Sequence, residues 1–556
     1  MKVSFGDIAS SVASLLALGP VQALDTQSKQ SVQQVAIIGA GAGGSSAAYH
    51  LQQYAQQAGV AVNVTVFEKT GRIGGRTLTI NAYDDPLQRI ELGASIFIEK
   101  NYILFDALKE FNLSKRIPDE DSDSILGIWD GDQFVFSINE DHSFWWNALK
   151  VIWKYGVMAP RRTQNLMLST IDKFLRLYEE PHFPFRSLTQ RAYELDLHKV
   201  TGVTGEQFLK ENGIDDLYAH DIVQASTRVN YASNLGRIHG LDTMVSMAPE
   251  GAMAVEGGNW QIFDKMVQLS GAAVALNTTV ASIGFSKHGG SSDSPKYILK
   301  TKSASMESTK AETYPVTFDN VIIASPWQFT DISADDGLIQ TPIDEIPYVK
   351  LHVTIFATPF SYSPGFFGLT DAKDLPSTVL TTLGKGDDHN SGSNGAGKAG
   401  FFSISILRKT VNPKTIQPEY IYKIFSPEKV TPDFLSRLFG VKVPDSFVDG
   451  PDDTETGSPI SWYFPHVFYS YPKALPRVTF QDPIVGPGLF YTSGMDSFIS
   501  TMETNALMGK NVARLLVDDL VASKLPNDAL AREEKQKILG QLEGDREGLS
   551  KNMGDL

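Results

Sequence analysis

Residues 35–53 read VAIIGAGAGGSSAAYHLQQ, and this stretch decides the fold. The apolar run Val35–Ile38 has the composition of a buried parallel strand, and the alanine-rich stretch Ser45–Ala58 predicts a helix. A second apolar run, Val62–Phe67, predicts another strand. The order strand, glycine loop, helix, strand is a βαβ unit, and its glycines lie where a dinucleotide-binding fingerprint has to lie.

The glycines of this loop have separable roles. Gly39 allows the tight turn, Gly41 lets the backbone approach a pyrophosphate, and Gly44 permits close helix–strand packing, with Gly43 in the same loop. The helix N-terminus offers amide donors and partial positive charge to the phosphates. Glu68 ends the second strand, 24 residues after Gly44, where a carboxylate bonds the ribose hydroxyls. The chain is therefore predicted to bind a dinucleotide.

The next motifs favour FAD over a nicotinamide cofactor. Residues 71–76, GRIGGR, resemble the second glycine motif of the superfamily that contains flavin amine oxidases, phytoene desaturases and Rab GDP-dissociation inhibitors. In that superfamily the paired glycines and the arginine lie along the FAD pyrophosphate and the flavin. Residues 91–95, ELGAS, match the following stretch, where the backbone approaches the isoalloxazine ring. The resemblance implies an FAD-binding fold.

The C-terminal part fits the same superfamily. Residues 491–494, YTSG, and 501–506, TMETNA, resemble the final flavin-binding segment. By that match the backbone near Glu503, at a helix start, meets the flavin N1/O2 edge and stabilises the charge of reduced flavin. The competing interpretation of Glu503 is a first-turn carboxylate that the helix dipole favours.

The superfamily resemblance implies a set of cofactor-binding residues. They are Gly39, Gly41, Gly43, Gly44, Glu68, Lys69, Gly74, Gly75, Arg76, Gly93, Ala94, Ser95, Val280, Gly494 and Glu503. We expect the FAD to be non-covalent, because the chain has no cysteine and the matched flavin segments contain no histidine.

A narrower resemblance covers most of residues 34–520 and is patchy in the substrate domain. Residues 227–231 (TRVNY), 253–259 (MAVEGGN) and 510–513 (KNVA) look like the prenylcysteine oxidase family, also called prenylcysteine lyase. That family implies a thioether oxidase acting on farnesyl- or geranylgeranyl-cysteine. The implied partners are thus a small apolar prenyl thioether and O2.

The implied chemistry starts with hydride transfer from the isoprenoid carbon next to sulfur to the flavin. Water adds to the resulting cation, and collapse gives cysteine and a prenyl aldehyde, while O2 reoxidises the flavin and becomes hydrogen peroxide. Such a reaction needs positioning and a dry apolar slot more than a strong base. Arg228 and Asn230 are candidate contacts for the cysteine carboxylate, and a structural salt bridge or hydrogen bond is the competing interpretation.

These motifs predict an α/β fold in two interleaved domains. A discontinuous Rossmann-like FAD-binding domain comprises residues 31–100, 240–330 and 480–522. A substrate domain of mixed sheet and helix, rich in aromatic residues, comprises residues 101–239 and 331–479. A charged C-terminal tail occupies residues 523–556.

Three alternatives stay open. Flavin amine oxidases usually carry a lysine near the flavin N5 beyond the strand that matches 321–324, and residues 311–349 contain no lysine. A non-catalytic prenyl-binding protein of the Rab GDP-dissociation inhibitor type would lack tightly held flavin. A flavin oxidase of another prenylated small molecule would share all the motifs.

The N-terminal segment and the glycosylation triplets indicate the cellular compartment of the protein. Residues 1–23 combine Lys2, an apolar stretch and a small-residue cleavage site, as a signal peptide does. The expected location is the secretory pathway, either a lysosomal or vacuolar lumen or the outside of the cell. Glycosylation triplets at Asn112, Asn277 and Asn63 agree with this, although Asn63 lies in the predicted buried strand.

Several function classes are disfavoured. The net charge of −15 gives a surface that repels phosphate backbones and anionic lipid, so no nucleic-acid partner is predicted. No later stretch approaches the roughly 20 apolar residues of a membrane span. The ten histidines show no metal-ligand spacing, so no metal site is predicted.

Overall fold

The structure is a computed structural model that describes residues 32–117, 125–139, 144–248, 251–286, 296–303, 310–449 and 459–524. The predicted signal segment 1–23 and all but the first two residues of the predicted tail 523–556 lie outside these ranges.

Strands and helices occur in long runs along the described residues. The strands are β1 Gln33–Ile38, β2 Val62–Phe67, β3 Thr79–Asn81, β4 Arg89–Glu91, β5 Lys115–Arg116, β6 Ile125–Trp129, β7 Phe134–Asn139, β8 Ala254–Val255, β9 Ala273–Ala275, β10 Thr278–Phe285, β11 Tyr297–Ser303, β12 Glu312–Thr313, β13 Asn320–Ile323, β14 Ser333–Ala334, β15 Tyr348–Thr358, β16 Thr378–Thr381, β17 Ser403–Val411, β18 Pro418–Ser426, β19 Trp462–Pro472, β20 Ile484–Gly486 and β21 Leu489–Tyr491. The α-helices are α1 Ala42–Gln57, α2 Tyr102–Glu110, α3 Phe144–Tyr155, α4 Met158–Leu175, α5 Leu188–Glu194, α6 His198–Thr201, α7 Gly205–Glu211, α8 Asp216–Tyr218, α9 Gln224–Tyr231, α10 Gly240–Ser246, α11 Trp260–Ser270, α12 Pro432–Phe439 and α13 Met502–Lys524. The α-helices α3–α10 all lie between β7 and β8, and the strands β9–β18 all lie between α11 and α12.

Within the described ranges, six strands form the sheet that contains β1. Its order is β20-β21-β13-β1-β2-β9; all neighbours pair in parallel except β20, which is antiparallel to β21. The strands come from residues 33–67, 273–275, 320–323 and 484–491. The sheet therefore forms only when distant parts of the chain meet.

Helices α1 and α13 pack against each other at backbone contact. A Cβ atom on Gly509 of α13 would lie 2.1 Å from the carbonyl oxygen of Gly43 in α1. No side chain larger than hydrogen fits there, so the C-terminal helix lies directly against the glycine loop.

A second sheet has the order β19-β15-β18-β17-β16-β6-β7 in the described part of the chain. Long antiparallel pairings of β15 with β18 and β19 form one end of it. A smaller sheet has the order β12-β11-β10-β14. The second sheet contributes the apolar wall of the cavity described below.

The predicted α/β fold is confirmed, and β2 spans the predicted residues. Helix α1 begins at Ala42, not at Ser45 as predicted, because Gly43 and Gly44 belong to its first turn despite their low helix propensity. The domain boundaries stay a prediction. Of the helices in the described ranges, none combines the length and apolar character needed to cross a bilayer.

Candidate active site

The predicted motifs meet in one hydrogen-bonded cluster of loops. The N–H of Gly74 donates to the carbonyl of Ala40 at 2.9 Å, and the N–H of Ala40 donates to the Glu68 carboxylate at 2.9 Å. The Arg72 guanidinium donates to the carbonyl of Gly75 at 2.6 Å. The end of β1, the end of β2 and the second glycine motif are thereby held as a unit.

This cluster borders a cavity of about 740 Å³. The predicted cofactor residues that line it are Gly39, Gly41, Gly43, Glu68, Lys69, Gly74, Gly75, Arg76, Gly93, Ala94 and Val280. The structure thus brings together residues from the fingerprint, the second glycine motif, the 91–95 stretch and β10.

The glycine loop fits a pyrophosphate. Helix α1 begins after Gly41, which lacks a side-chain cap, and its first turn contains no acidic residue. A Cβ atom at Gly41 would have Gly75 Cα, at 3.7 Å, as its nearest neighbour, so the space in front of the loop is open. Uncapped amide donors and the positive end of the helix dipole therefore border the cavity.

Four predicted cofactor residues lie outside the cavity lining: Gly44, Ser95, Gly494 and Glu503. Gly44 has the predicted packing role, because a Cβ there would lie 1.9 Å from the Gly39 carbonyl oxygen. At Gly494 a Cβ would meet the Gln481 carbonyl oxygen at 2.8 Å. These glycines allow backbone packing behind the cavity wall.

The Glu503 side chain points away from the cavity. Its carboxylate accepts the N–H groups of Ile103 at 2.9 Å and Leu104 at 3.0 Å, which caps the start of α2. Thr501 and Met502 line the cavity instead. The start of α13 thus borders the cavity through its backbone, whereas burial of the Glu503 carboxyl raises its pKa to about 7.

We expect Glu503→Gln to change how stability depends on pH. Since the folded-state pKa of about 7 exceeds the ordinary value of 4.5, the ionised carboxylate destabilises the fold increasingly between these pH values. Wild type should lose about 3 kcal/mol relative to the glutamine variant from pH 4.5 to pH 8. Urea unfolding at both pH values measures this; the exposed Glu211→Gln variant is the control, and a pH-independent difference would contradict the assignment.

A buried carboxylate organises the next part of the site. Asp496 accepts hydrogen bonds from Tyr348 at 2.6 Å, Ser500 at 2.7 Å and Asn505 at 3.1 Å, and pairs with Arg76 at 3.3 Å. Burial opposes ionisation, but the charge of Arg76 and these donors outweigh it and lower the pKa of Asp496. Asp496 therefore fixes the cavity-lining Arg76 to β15 and α13.

The second sheet supplies an apolar wall that sequence reasoning did not resolve. Its lining side chains include Leu351, Val353, Phe425, Phe468 and Tyr471. The alternation of the apolar residues Leu351 and Val353 indicates that one face of β15 is buried. The residues that face them come from other strands, and the sequence does not show which ones they are. His466 also lines the cavity; burial, and then the charge of Arg72, lower its pKa.

None of the lysines in the described ranges lies on this apolar wall. Lys350, the first lysine after the lysine-free stretch, is exposed, while its neighbour Leu351 lines the cavity. Lys423 is buried and donates to the Glu91 carbonyl at 2.9 Å, but it does not line the cavity. Among the described residues, Lys69 alone of the lysines lines it, at the end of β2 beside Glu68.

The predicted contact of Arg228 and Asn230 with a substrate carboxylate is wrong. Neither residue lines the cavity, and Arg228 is fully buried. Its N–H groups donate to oxygens of Thr381, Asn234, Gly395, Ala396 and Phe401 at 2.7–3.2 Å. The Asn230 amide donates to the Ser226 carbonyl at 3.0 Å. These donors hold α9 to the second sheet and its loops, which is the competing structural interpretation.

All three candidate glycosylation asparagines are exposed. Asn112 and Asn277 lie at the ends of α2 and β9 with positive φ. Asn63 does lie in β2, but the buried part of this strand begins at Val64, so the expectation of a buried Asn63 is wrong. In the described part of the chain no three metal-ligating side chains cluster.

Comparison with known protein families shows which family the chain belongs to. A family model described as prenylcysteine lyase matches residues 138–528, which is more than half of the sequence. The chain belongs to the prenylcysteine lyase family. A second family model, described as an NAD(P)-binding Rossmann-like domain, matches residues 37–111. The family resemblance inferred from the motifs is confirmed.

Relatives in the prenylcysteine lyase family align along nearly the whole chain. Farnesylcysteine lyase of Arabidopsis thaliana is 29% identical over 92% of this chain and 92% of its own length. Prenylcysteine oxidase 1 of Bos taurus is 26% identical over 87% of this chain and 88% of its own length. The similarity therefore includes both the nucleotide sheet and the second sheet.

Solved structures show the same fold at lower identity. Cyclohexylamine oxidase from Brevibacterium oxydans superposes with a TM-score of 0.52 at 15% identity, covering 88% of this chain and 99% of its own. A putrescine oxidase double mutant gives 0.51 at 14% identity, covering 88% and 100%. This prenylcysteine lyase family member thus has the fold of flavin amine oxidases.

Proposed function

We propose that this member of the prenylcysteine lyase family is an FAD-dependent thioether oxidase. It would cleave farnesyl- or geranylgeranyl-cysteine with O2 and water to a prenyl aldehyde, cysteine and hydrogen peroxide. The observation that carries the proposal is one continuous cavity that joins a dinucleotide cradle to an apolar wall. The family and the flavin oxidase fold identify the cofactor as FAD.

The cradle residues suit the two charged parts of the cofactor. The uncapped start of α1 at Gly41–Gly43 would hold the pyrophosphate, and the Glu68 carboxylate would accept the ribose hydroxyls. Arg76, held by Asp496, borders the same cavity. When bound, FAD supplies a hydride acceptor whose electrons O2 takes up as hydrogen peroxide.

The apolar wall suits a prenyl chain. Leu351, Val353, Phe425 and Phe468 offer no hydrogen bond, so they exclude water from the chain and orient it by contact area. Each buried methylene contributes about 0.8 kcal/mol to binding. The outward position of Lys350 argues against amine oxidation, for which the superfamily uses a lysine near the flavin.

With farnesylcysteine and O2, we expect hydrogen peroxide, farnesal and free cysteine in equal amounts. Free farnesol should give none, because the sulfur lone pair has to stabilise the cation that forms as hydride leaves. A thioether with a five-carbon chain should bind far more weakly than the fifteen-carbon one, because less apolar surface is buried. Peroxide release, together with chromatography of the aldehyde and a thiol assay, measures all three products.

Amines serve as the negative control, because the proposed enzyme should not oxidise them. Putrescine and spermine should release no peroxide under the same conditions. Peroxide from spermine with none from any prenyl thioether would refute the thioether proposal while leaving the flavin oxidase fold in place.

We also propose that the protein is lumenal or secreted. The support is the signal-like segment 1–23 and the exposure of Asn112 and Asn277. Protein expressed in a eukaryotic secretory pathway should migrate faster after glycosidase treatment, and Asn112→Gln with Asn277→Gln should remove that shift. An unglycosylated cytosolic product would contradict the proposal.

A further inference from the structure

The turn between α3 and α4 carries a cluster of exposed apolar side chains. Its members, here called the α3–α4 patch, are Leu149, Ile152, Trp153, Val157 and Met158. Trp153 is 90% exposed, and the other four are 43–55% exposed. Single exposed apolar residues are ordinary, but five within ten residues, including a tryptophan, indicate a surface that binds something.

The side of α3 opposite the patch is anchored to the rest of the protein, and this fixes the direction in which the patch faces. Tyr155 is buried, and its hydroxyl donates to Asp221 at 3.0 Å. The Lys154 ammonium pairs with the same carboxylate at 2.7 Å. The Tyr155 ring also packs against Phe136 and Tyr218. With Tyr155 facing inward, the four-residue spacing puts Leu149 and Trp153 on one outer face of α3. Val157 follows the end of α3 and is exposed in the turn itself.

The stretch of sequence that carries the patch has a charge opposite to that of the chain as a whole. From His142 to Ile171 there is no Asp or Glu, although the chain carries a net charge of −15. Lys150 and Arg161 lie on the two helices that carry the patch, and among the described residues neither side chain has an ion-pair or hydrogen-bond partner. Arg162 instead donates to the Gly213 carbonyl at 2.7 Å, so its guanidinium already has a partner within the protein.

We infer that the α3–α4 patch docks this protein peripherally on an anionic lipid surface. A tryptophan and aliphatic side chains flanked by unpaired cations are the features that place a helix in the interfacial region of a bilayer. The inference also agrees with the proposed function, because prenyl thioethers and prenyl aldehydes partition into membranes. The exposed patch and its flanking cations are present whatever the substrate of the cavity is.

The patch lies at the start of α4, whereas the other end of this helix approaches the predicted flavin site. At the far end of α4, Phe174 packs against Phe498, beside the final flavin segment. Met158 lies sixteen residues earlier, which is about 24 Å along the helix axis. Substitutions in the patch should therefore leave turnover of a short, water-dispersed prenyl thioether unchanged.

Vesicle flotation tests the inference with the FAD-loaded full chain. Vesicles of phosphatidylcholine with about one third phosphatidylserine should carry the protein upward, and pure phosphatidylcholine should carry much less. Leu149→Ser with Trp153→Ser should weaken binding at least about tenfold, and Lys150→Glu with Arg161→Glu should abolish the preference for anionic vesicles. Matched controls are Leu87→Ser, at an 87% exposed leucine, and the exposed Lys429→Glu; both should bind as wild type does.

Fluorescence locates the contact. Brominated lipid should quench wild-type tryptophan emission, and Trp153→Phe should lose most of that quenching while it still floats. Flotation that is insensitive to the patch and charge variants would overturn the inference. So would a protein that does not float but dimerises through Trp153, since a second copy would then be the occupant. Because flotation and quenching do not read activity, failure of the thioether proposal would leave this result interpretable.

Discussion

Gly41→Val should give a folded, colourless protein that has lost FAD binding. The backbone at Gly41 has φ −79° and ψ −168°, an extended conformation that valine adopts freely. A Cβ there has Gly75 Cα, at 3.7 Å, as its nearest neighbour. The Cβ of the new side chain therefore meets no protein atom closer than ordinary van der Waals contact, and the side chain occupies the space where the pyrophosphate would meet the amides of α1.

Absorbance of isoalloxazine in the purified protein, with circular dichroism for the fold, measures this effect. Wild type should be yellow and should release its flavin on acid precipitation, because the attachment is predicted to be non-covalent. Gly44→Val is the matched contrast: its Cβ would lie 1.9 Å from the Gly39 carbonyl oxygen, so this variant should fail to fold. Full flavin content in Gly41→Val would show that the fingerprint does not hold the cofactor, and a colourless wild type would favour a non-catalytic prenyl-binding protein.

Asp496→Ala should destabilise the protein by about 2–3 kcal/mol, because it leaves buried hydrogen-bond donors without their acceptor, while Arg76 is 35% exposed and keeps part of its hydration. The change leaves Arg76 without its counter-charge and removes the acceptor used by Tyr348, Ser500 and Asn505. Because Arg76 borders the cavity, flavin retention should fall as well. Asp496→Asn keeps an acceptor oxygen but not the charge, and should lie between wild type and the alanine variant.

An exposed ion pair provides the control. Asp132 pairs with Lys398 at 2.6 Å, and both side chains are about half exposed. Asp132→Ala should therefore change the free energy of unfolding by no more than about 1 kcal/mol. Denaturant unfolding of the flavin-free and flavin-loaded proteins separates stability from cofactor binding. Equal losses in the two variants would mean that Asp496 has no organising role at the site.

The nucleotide-binding half of the site was predictable because its signals are local. Strand β2 and the cavity positions of Gly41, Glu68 and Arg76 follow from motifs whose spacing the chain itself sets. The start of α1 was less predictable, since two glycines in a first turn contradict helix propensity and are tolerated only because the loop packs so closely.

The direction in which a side chain points could not be predicted from the local motifs. Arg228 occurs in a family-like motif, and only the folded structure shows that most of its donors bond to β16 and to loop residues more than 150 positions away. Glu503 likewise belongs to the flavin segment by sequence, yet its carboxylate caps α2. A motif gives the identity of a residue, whereas hydrogen-bond partners from distant segments decide where its side chain points.

The sequence by itself determined the βαβ unit, the dinucleotide fingerprint, the second glycine motif and the family, because each depends on residues close together in the chain. The tertiary structure alone decided the far wall of the cavity, where Leu351, Phe425 and Phe468 meet across strands of the second sheet. It also decided that Lys350 faces away from the cavity and that Trp153 faces outward. The physical reason is that sheet register and helix packing set which face of each element is covered, and both depend on contacts between residues far apart in sequence.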